Sequence, residues 1–305
     1  VTRVEELMRL CDALEAKGQL EAAQHAQLVS TLLGTLTASS TPDELADNWQ
    51  RVAQHFDLLL DRPAAVDALE QTILQLAVRG LLVPQDPSDE PASQLIERIQ
   101  SSRRTKRRVL APSVDLIESA GIELPMGWAW AVIDQLSADI EYAITDGPFG
   151  ANLKTEHYIA ASGYRVVRLQ NIGYGEFRAE HHAYIEKERF EKLKKHQVYA
   201  DDLLVAGLVD ESIRCCSVPE SLGPAIVKAD CYRFAVHEAL RSDYVNLYLG
   251  SKIAHEFAAV HHHGLTLTRI GLGNFRTIPV PLPPLAEQSR IVTRVESLRR
   301  LCADL

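Results

Sequence analysis

The stretch RVVRLQNI brings together three side chains that could read DNA, namely Arg168, Gln170 and Asn171. Arginine forms paired hydrogen bonds with the edge of guanine, and glutamine or asparagine does so with adenine. Alternation along a β-strand would place Arg168 and Gln170 on one face. Taken alone, the stretch also fits a half-exposed strand with no such role, so both interpretations stay open at this point.

Two further polar segments have the composition of a nucleic-acid contact. DGPFGANLK predicts a tight turn followed by a polar, basic tip, and HHHGLTLTR predicts a polar loop after a helix. Three adjacent histidines cannot all face one metal without strain, and no CxxC or HxxxH partner motif is near, so we predict no metal site. A loop that touches bases or phosphates and a plain exposed loop both remain possible. The residues concerned are Asn152, Lys154, His261, His262, His263, Thr266, Thr268 and Arg269.

Catalytic chemistry is poorly supported. DGPF resembles the base-holding motif of adenine methyltransferases, but Gly147 stands where a proline is expected, and no glycine-rich loop for S-adenosylmethionine accompanies it. YIEKERFEKLKK contains the carboxylates and lysines of a nuclease, yet at helical spacing instead of across a sheet. We therefore predict no catalytic residue in this chain.

The net charge of −9 is unevenly distributed. Residues 1–100 hold 7 basic and 16 acidic residues, whereas 127–280 hold 16 and 19, together with nine of the eleven histidines. A DNA-binding face in the second region would therefore be a local patch. The sequence has no apolar run long enough for a membrane span and no visible secretory signal. Its five cysteines form no CxxC pair, which favours reduced thiols and a cytoplasmic protein.

The pattern of elements predicts a mixed α+β chain. STPDELADNWQ predicts a helix capped by Thr41 or Ser40, and a second amphipathic run closes at Gly80. Residues 93–108 predict a short helix that ends in the basic cluster RRTKRR, which reads as a solvated linker or, alternatively, as a phosphate contact. From Leu124 short β-branched runs between turn residues predict strands, interrupted by two helices. A proline-rich stretch then leads into a terminal helix.

The two ends of the chain are related. VTRVEELMRLCDAL at the start and VTRVESLRRLCADL at the end share ten of fourteen residues. Apolar residues recur with the 3–4 spacing of a coiled-coil seam, at Val4, Leu7, Cys11, Leu14, Val295, Leu298, Cys302 and Leu305. Because two heptads are marginal alone, each copy needs a partner, and we expect the copies to pair, with the cysteines as small core residues.

Four stretches carry a resemblance to a known family: LPMGWAW, RVVRLQNIGYGEF, QTILQLAVRGLLVPQDPSDEPASQL and VPLPPLAEQSRIVTRVESLRRLCADL. Together they strongly resemble the specificity (S) subunit of Type I restriction–modification enzymes. The resemblance covers essentially the whole chain, and the proline-rich run into LAEQ is its most specific part.

The resemblance implies an α+β fold in which a mixed α/β target-recognition domain is flanked by helical, coiled-coil conserved regions. It assigns 1–110 to a helical region, 111–124 to a linker, 125–280 to the recognition domain and 281–305 to the start of a second helix. It also implies a non-catalytic subunit that reads one half of a bipartite double-stranded DNA target. Such subunits dock modification subunits, which bind S-adenosylmethionine and methylate adenine, and through them the restriction subunits.

A full subunit of that family would carry another recognition domain before Val1 and more helix after Leu305. We therefore expect a fragment, a half-subunit, or a short form that works as two self-associating copies. Within the recognition domain, residue chemistry assigns DNA contact to the candidate residues given above. The alternative is the recognition module of a DNA methyltransferase or of a Type II restriction enzyme; a coiled-coil adaptor without a DNA role is a further one.

Overall fold

The structure is a computed structural model that describes residues 2–39, 41–104, 109–160, 162–209, 212–260 and 268–303. Its α-helices are α1 (Thr2–Ala38), α2 (Pro42–Gln54), α3 (Phe56–Leu59), α4 (Pro63–Val78), α5 (Ala92–Ser102), α6 (Val114–Ala120), α7 (Ile133–Leu136), α8 (Lys187–Lys192), α9 (Ser242–Leu249), α10 (Lys252–Ala259), α11 (Leu272–Thr277) and α12 (Leu285–Ala303). Short 3₁₀ turns lie at Gly150–Asn152, Thr155–His157, Leu169–Asn171, Lys194–His196 and Glu220–Leu222.

The strands of the described residues form four small sheets. They are β1 (Ala129–Val132), β2 (Ile144–Asp146), β3 (Tyr164–Val167), β4 (Tyr184–Ile185), β5 (Gln197–Val198), β6 (Leu203–Ala206), β7 (Leu208–Val209), β8 (Cys215–Ser217), β9 (Ala225–Val227), β10 (Cys231–Phe234), β11 (Thr268–Arg269) and β12 (Pro279–Leu282). The two larger sheets have the orders β2-β10-β6-β8 and β4-β3-β9-β5, and the smaller ones pair β1 with β12 and β7 with β11. All pairs are antiparallel except β3 with β9. The predicted mixed α+β class is confirmed.

The chain divides into two compact units. The first contains residues 1–76 and 296–305, and the second contains residues 77–295. In the second unit the two four-stranded sheets share an apolar core, to which β3 and β9 contribute Val167 and Val227, and β6 and β8 contribute Leu204 and Cys216. Burial raises the pKa of the Cys216 thiol to about 12, as expected for a packing residue that does not react.

The first unit is helical. The C-terminal part of α1 buries Val29, Leu33 and Leu36, and α1 packs against α2 and α3. The backbone N–H of Glu44 donates to the Thr41 hydroxyl at 3.2 Å, which confirms Thr41 as the cap of α2. Helix α4 is followed by Gly80, the predicted C-cap, which belongs to the second unit and has φ +70°, a conformation that favours glycine after a helix.

In the described residues of the two sequence repeats, the predicted pairing is not formed. Val4, Leu7 and Leu14 of the first copy are 56–69% exposed, and Cys11 is also exposed, contrary to the expected core position. The terminal copy turns to α4 instead, where Arg299 Nη2 lies 2.6 Å from Glu70 Oε1. Val295 is buried, and Leu298 and Cys302 are half-buried. Leu305 lies outside the described residues.

The predicted boundary near residue 110 also differs from the structural one, since 77–110 belong to the second unit. The Ala92 N–H donates to Gly127 O at 2.8 Å, and Arg103 Nη2 donates to the carbonyls of Gln135 and Ser137 at 2.8 Å each. These bonds tie the segment to the start of the sheet region. The Arg103 guanidinium therefore has a structural role in the basic cluster. Residues 105–108 of that cluster lie outside the described ranges. The predicted linker, 111–124, contains the helix α6.

No helix in the described part of the chain is long and apolar enough to cross a membrane.

Candidate nucleic-acid interface

Several strands end at the same edge of the two larger sheets. The parallel strands β3 and β9 end side by side at Val167 and Val227. In the neighbouring sheet β2 ends at Asp146, and β10 begins at Cys231 opposite Ala206, the last residue of β6. The segments that follow or precede these strands therefore meet. We call this surface the convergent edge and define it as residues 146–149, 168–170, 194–196, 228–230 and Arg269.

Close backbone contact fixes the convergent edge. A Cβ atom on Gly147 would lie 2.0 Å from the carbonyl carbon of Lys228, so the two segments touch through their main chains. Asp146 Oδ1 accepts hydrogen bonds from the N–H groups of Gly147 at 2.7 Å and Asp230 at 2.9 Å. The Asp146 carbonyl accepts a bond from His196 Nδ1 at 2.6 Å. Since no side chain fits at position 147, a proline there is excluded, which argues against the methyltransferase interpretation of DGPF.

Burial also shapes the electrostatics of this edge. It raises the pKa of Asp146 from 3.8 to about 6, and the nearby Asp230 carboxylate adds to that rise. The two backbone N–H groups and the Arg269 guanidinium act in the opposite direction, because each favours the charged carboxylate. Desolvation by burial also acts on His196, but there it lowers the pKa, because the charged form of histidine is the protonated one. The His196 ring is hydrogen-bonded to the Asp146 carbonyl.

Arg269 is the predicted residue that the structure places most clearly at this edge. Its side chain is 50% exposed, and its Nε donates to Asp230 Oδ1 at 2.6 Å. Its guanidinium carbon lies 5.2 Å from the centre of the Phe149 ring, within the range of a cation–π contact. Thr268 precedes it in β11 and pairs with Val209, but its side chain is not among those described. His261, His262, His263 and Thr266 lie outside the described residues.

The prediction that Asn171 faces DNA is wrong. Asn171 is fully buried, its Oδ1 accepts from the Arg168 N–H at 2.9 Å, and its Nδ2 donates to the carbonyls of Arg178 at 2.8 Å and His181 at 3.1 Å. β3 ends at Val167, and Leu169–Asn171 form a 3₁₀ turn, so strand alternation does not apply there. The amide therefore caps a turn and has no free edge for a base.

Arg168 and Gln170, for which DNA contact is predicted, lie on the convergent edge. Gln170 is exposed, whereas Arg168 is half-buried and donates from Nη2 to His182 O at 3.3 Å. Lys228 lies beside them because its N–H donates to Val167 O at 2.8 Å. The Lys228 ammonium lies 5.7 Å from the centre of the Tyr158 ring, and its side chain is half-buried. Whether these side chains touch DNA stays a prediction.

Asn152 and Lys154 belong to an exposed flank of the same edge. The Asn152 carbonyl accepts from Arg189 Nη1 at 3.4 Å, which connects this flank with α8. Lys154 lies 3.7 Å from Glu156, so its charge is partly balanced. Lys194 and Lys195 follow α8, and both are exposed. Of these two lysines, only Lys194 has a carboxylate of a described residue within 4 Å. The carboxylates of α8 sit on an exposed helix, and the described residues contain no cluster able to hold a metal.

Sequence reasoning missed three residues of this surface. Phe149 is 47% exposed and lies against Arg269, and Asp230 holds that arginine. Lys195 is an exposed cation that directly precedes His196, the residue bonded to the Asp146 carbonyl. An exposed phenylalanine directly after a glycine–proline turn was the one signal available for Phe149. The contact of Asp230 and Phe149 with Arg269 joins distant parts of the chain and has no local pattern.

The motifs that carried the family resemblance have structural roles. The Glu287 carboxylate is fully buried and accepts from Trp128 Nε1 at 3.0 Å and Gln85 Nε2 at 3.3 Å. Gln288 is also fully buried, and it accepts from the Arg241 N–H at 3.1 Å and donates to Pro283 O at 2.9 Å. LPMGWAW, LVPQDP and PLPPLAEQ thus meet in one hydrogen-bonded cluster that holds the second unit together.

Comparison with known proteins identifies relatives of the whole chain. The Type I restriction enzyme EcoEI specificity subunit of Escherichia coli is 30% identical over 312 residues, which cover 98% of this chain and 51% of the relative. The EcoAI specificity subunit of the same organism is 30% identical over 318 residues, 100% of this chain and 52% of the relative. The chain spans about half the length of the curated relatives it matches. No protein-family model matches it.

Solved structures of lower similarity include a chain from a study of complex assembly and conformational transition in the type I R-M system. It is 15% identical, with a TM-score of 0.45, over 79% of this chain and 51% of that one. The HsdS subunit from Thermoanaerobacter tengcongensis has 13% identity and a TM-score of 0.42 over 84% and 51%.

Proposed function

We propose, from the kinship of this chain with the specificity subunits of Type I restriction enzymes, that it recognises one half of a bipartite double-stranded DNA target. The observation that carries the proposal is the identity of 30% along 98% of the chain with a protein of that name. The convergent edge supports it, because it collects exposed cationic, amide and aromatic side chains on a rigid backbone frame. Side chains of these types contact phosphates and base edges.

On this proposal the chain is not itself catalytic. Modification subunits would bind S-adenosylmethionine and methylate adenine, and restriction subunits would join through them, in the cytoplasm where the DNA is. The exposed seam of α1 supports a helical partner, either further sequence of the same subunit or a second copy of it. The alternative of a methyltransferase or Type II recognition module finds no support in the relatives described above.

Selection from random duplex DNA tests the proposal. The complete complex, with its modification subunits, is incubated with a duplex library, and bound DNA is sequenced. We expect enrichment of a split motif with two defined halves and an undefined spacer. A complex that binds DNA but enriches no motif would contradict sequence-specific recognition.

The salt dependence of binding tests which surface faces the DNA. Lys195→Ala removes an exposed cation of the convergent edge, so its binding should weaken on every sequence alike. Because each phosphate contact adds about 0.9 to the slope of log affinity against log salt, that slope should fall by about 1. Lys17→Ala is the matched control, since Lys17 is an exposed lysine of the first unit. Equal slopes for wild type and Lys195→Ala would place the phosphates elsewhere.

A further inference from the structure

Arg269 is held on three sides at the convergent edge. Its Nε donates to Asp230 Oδ1 at 2.6 Å, its Nη2 lies 3.9 Å from Asp146 Oδ2, and its guanidinium carbon lies 5.2 Å from the centre of the Phe149 ring. Half of the side chain is nonetheless open to solvent. A long, exposed arginine side chain would otherwise sample many rotamers, so these contacts select its direction in advance.

The partners of Arg269 are themselves fixed by the backbone. Asp230 has φ +65°, its N–H donates to Asp146 Oδ1 at 2.9 Å, and its carbonyl accepts from Gly207 N–H at 2.7 Å. Ile270, the residue after Arg269, donates its N–H to Gly207 O at 2.8 Å, and its carbonyl accepts from the buried Tyr232 hydroxyl. The arginine and the carboxylate that holds it therefore stand on one hydrogen-bonded frame.

Charge decides between a phosphate and a base as the ligand of Arg269. With both carboxylates ionised, Arg269, Asp230 and Asp146 together carry one negative charge, so a phosphate gains little Coulomb energy there. A directed guanidinium instead favours a neutral ligand with acceptors at defined positions. Guanine presents two acceptors, N7 and O6, at its major-groove edge and is the usual partner of arginine.

The atoms still available on Arg269 match that ligand. Nε is bonded to Asp230, whereas Nη1 has no hydrogen-bond acceptor among the described residues. We propose that Arg269 reads a guanine through its Nη groups in the major groove, and that Asp230, Asp146 and Phe149 are positioning residues that direct its guanidinium. The inference rests on the proposed function and adds to it one specified base contact.

The test is base preference, measured by selection with the complete complex carrying Arg269→Lys. Lysine keeps the positive charge but cannot form the directed pair of hydrogen bonds. We expect preference for one G·C pair in one half-site to fall roughly 5- to 150-fold, with the remaining positions unchanged. Arg241→Lys is the matched control, because Arg241 is also about half exposed and paired with an aspartate, Asp243. It should leave every position unchanged.

The positioning role is tested with Asp230→Asn. Asparagine tolerates positive φ and is isosteric, so the turn is retained while the charge that holds Arg269 is lost. We expect a smaller loss of preference at the same G·C pair, and no further loss when Asp230→Asn is added to Arg269→Lys. A merely structural effect of Asp230 would persist in the Arg269→Lys background.

The outcomes separate the two proposals. If the wild-type complex enriches no motif, sequence-specific recognition fails, and the arginine contact fails with it. If the wild type enriches a split motif but Arg269→Lys keeps full preference at every G·C pair, the inference about Arg269 is overturned and the proposed function stands.

Discussion

Asp146 both fixes the backbone of the candidate site and contributes to its charge. Its side chain is 11% exposed, accepts two backbone hydrogen bonds and faces Arg269. Burial raises its pKa to about 6, so near neutral pH the folded protein holds a carboxylate that would take up a proton readily. The charge of the convergent edge therefore changes within a mildly acidic range.

This pKa predicts a specific dependence of stability on pH. Because the folded pKa of about 6 lies above the ordinary value of 3.8, the folded state binds the proton more tightly than the unfolded state. Asp146 must then make the protein less stable as the pH rises from about 4 to about 6, by an amount on the order of 2 kcal/mol. Asp146→Asn should remove this part of the profile, since asparagine keeps an oxygen for the two N–H groups and does not titrate.

Urea unfolding of wild type and Asp146→Asn between pH 4.5 and 7.5 measures the effect. The difference between the two proteins isolates Asp146 from the histidines, which are common to both. Parallel stability profiles across this range would show that Asp146 has an ordinary pKa in the folded protein.

Residue types at the site were predictable from the sequence, but their exposure was not. Arg269 and Gln170 were identified by chemistry and are exposed, whereas Asn171 has the same chemistry and is buried. The difference arises because β3 stops at Val167 and a 3₁₀ turn follows. Phe149 and Asp230 were missed because their contacts with Arg269 depend on the tertiary fold.

At the scale of elements, the motifs that resemble the family form a structural junction. Glu287 at the start of α12 holds Trp128, which precedes β1, and Gln85, which follows α4. Nearby, the Tyr244 hydroxyl donates to Pro281 O at 2.5 Å, and the Tyr248 hydroxyl donates to Pro279 O. Proline-rich β12 can thus be buried with its carbonyls satisfied.

Removal of the Glu287 carboxylate should destabilise the protein strongly. Glu287→Ala leaves the buried Trp128 Nε1 donor without its acceptor and empties the space of a fully buried side chain, at an expected cost of about 2–4 kcal/mol, whereas Gln85 Nε2 keeps its bond to Gly80 O. Glu287→Gln keeps an oxygen for Trp128 and should cost less. Glu296→Ala is the control on the same helix, because Glu296 is exposed and should change stability by less than about 0.5 kcal/mol. Equal unfolding free energies for Glu287→Ala and Glu296→Ala in urea would refute the structural role.

The elements show where sequence patterns suffice. Helix caps such as Thr41 and the C-terminal Gly80 follow from local chemistry, and both were predicted correctly. The sequence repeat at the two ends of the chain was also recognisable, but the helix against which each copy packs was not. A heptad seam specifies an apolar helical partner without saying which one, and in the folded chain the terminal copy contacts α4 while Val4, Leu7 and Leu14 remain exposed.

At the scale of the whole molecule, we propose that the length of α1 has a functional role. Its 37 residues correspond to about 55 Å at about 1.5 Å per residue. At about 3.4 Å per base pair this equals roughly 16 base pairs. If α1 sets the distance between two DNA-reading units, as the family resemblance implies, helix length should control the spacer of the target.

Insertion of one heptad after Lys17 tests this relation. Seven residues preserve the helical face and add about 10 Å, so the spacer should lengthen by about three base pairs while the half-site bases stay the same. Replacement of seven exposed residues at the same place, without a change in length, is the control. A spacer that does not change, or half-sites that do, would contradict the role of α1.

The most direct measurement of the central claim is genome-wide adenine-methylation mapping in cells that carry the complete system. Residues 125–280 are exchanged for the corresponding segment of a relative with a different target, and the methylated motif is compared with that of the wild type. If this region reads one half-site, only one half of the motif should change, and the spacer and the other half should persist. A motif that stays the same, or that changes in both halves, would contradict the account.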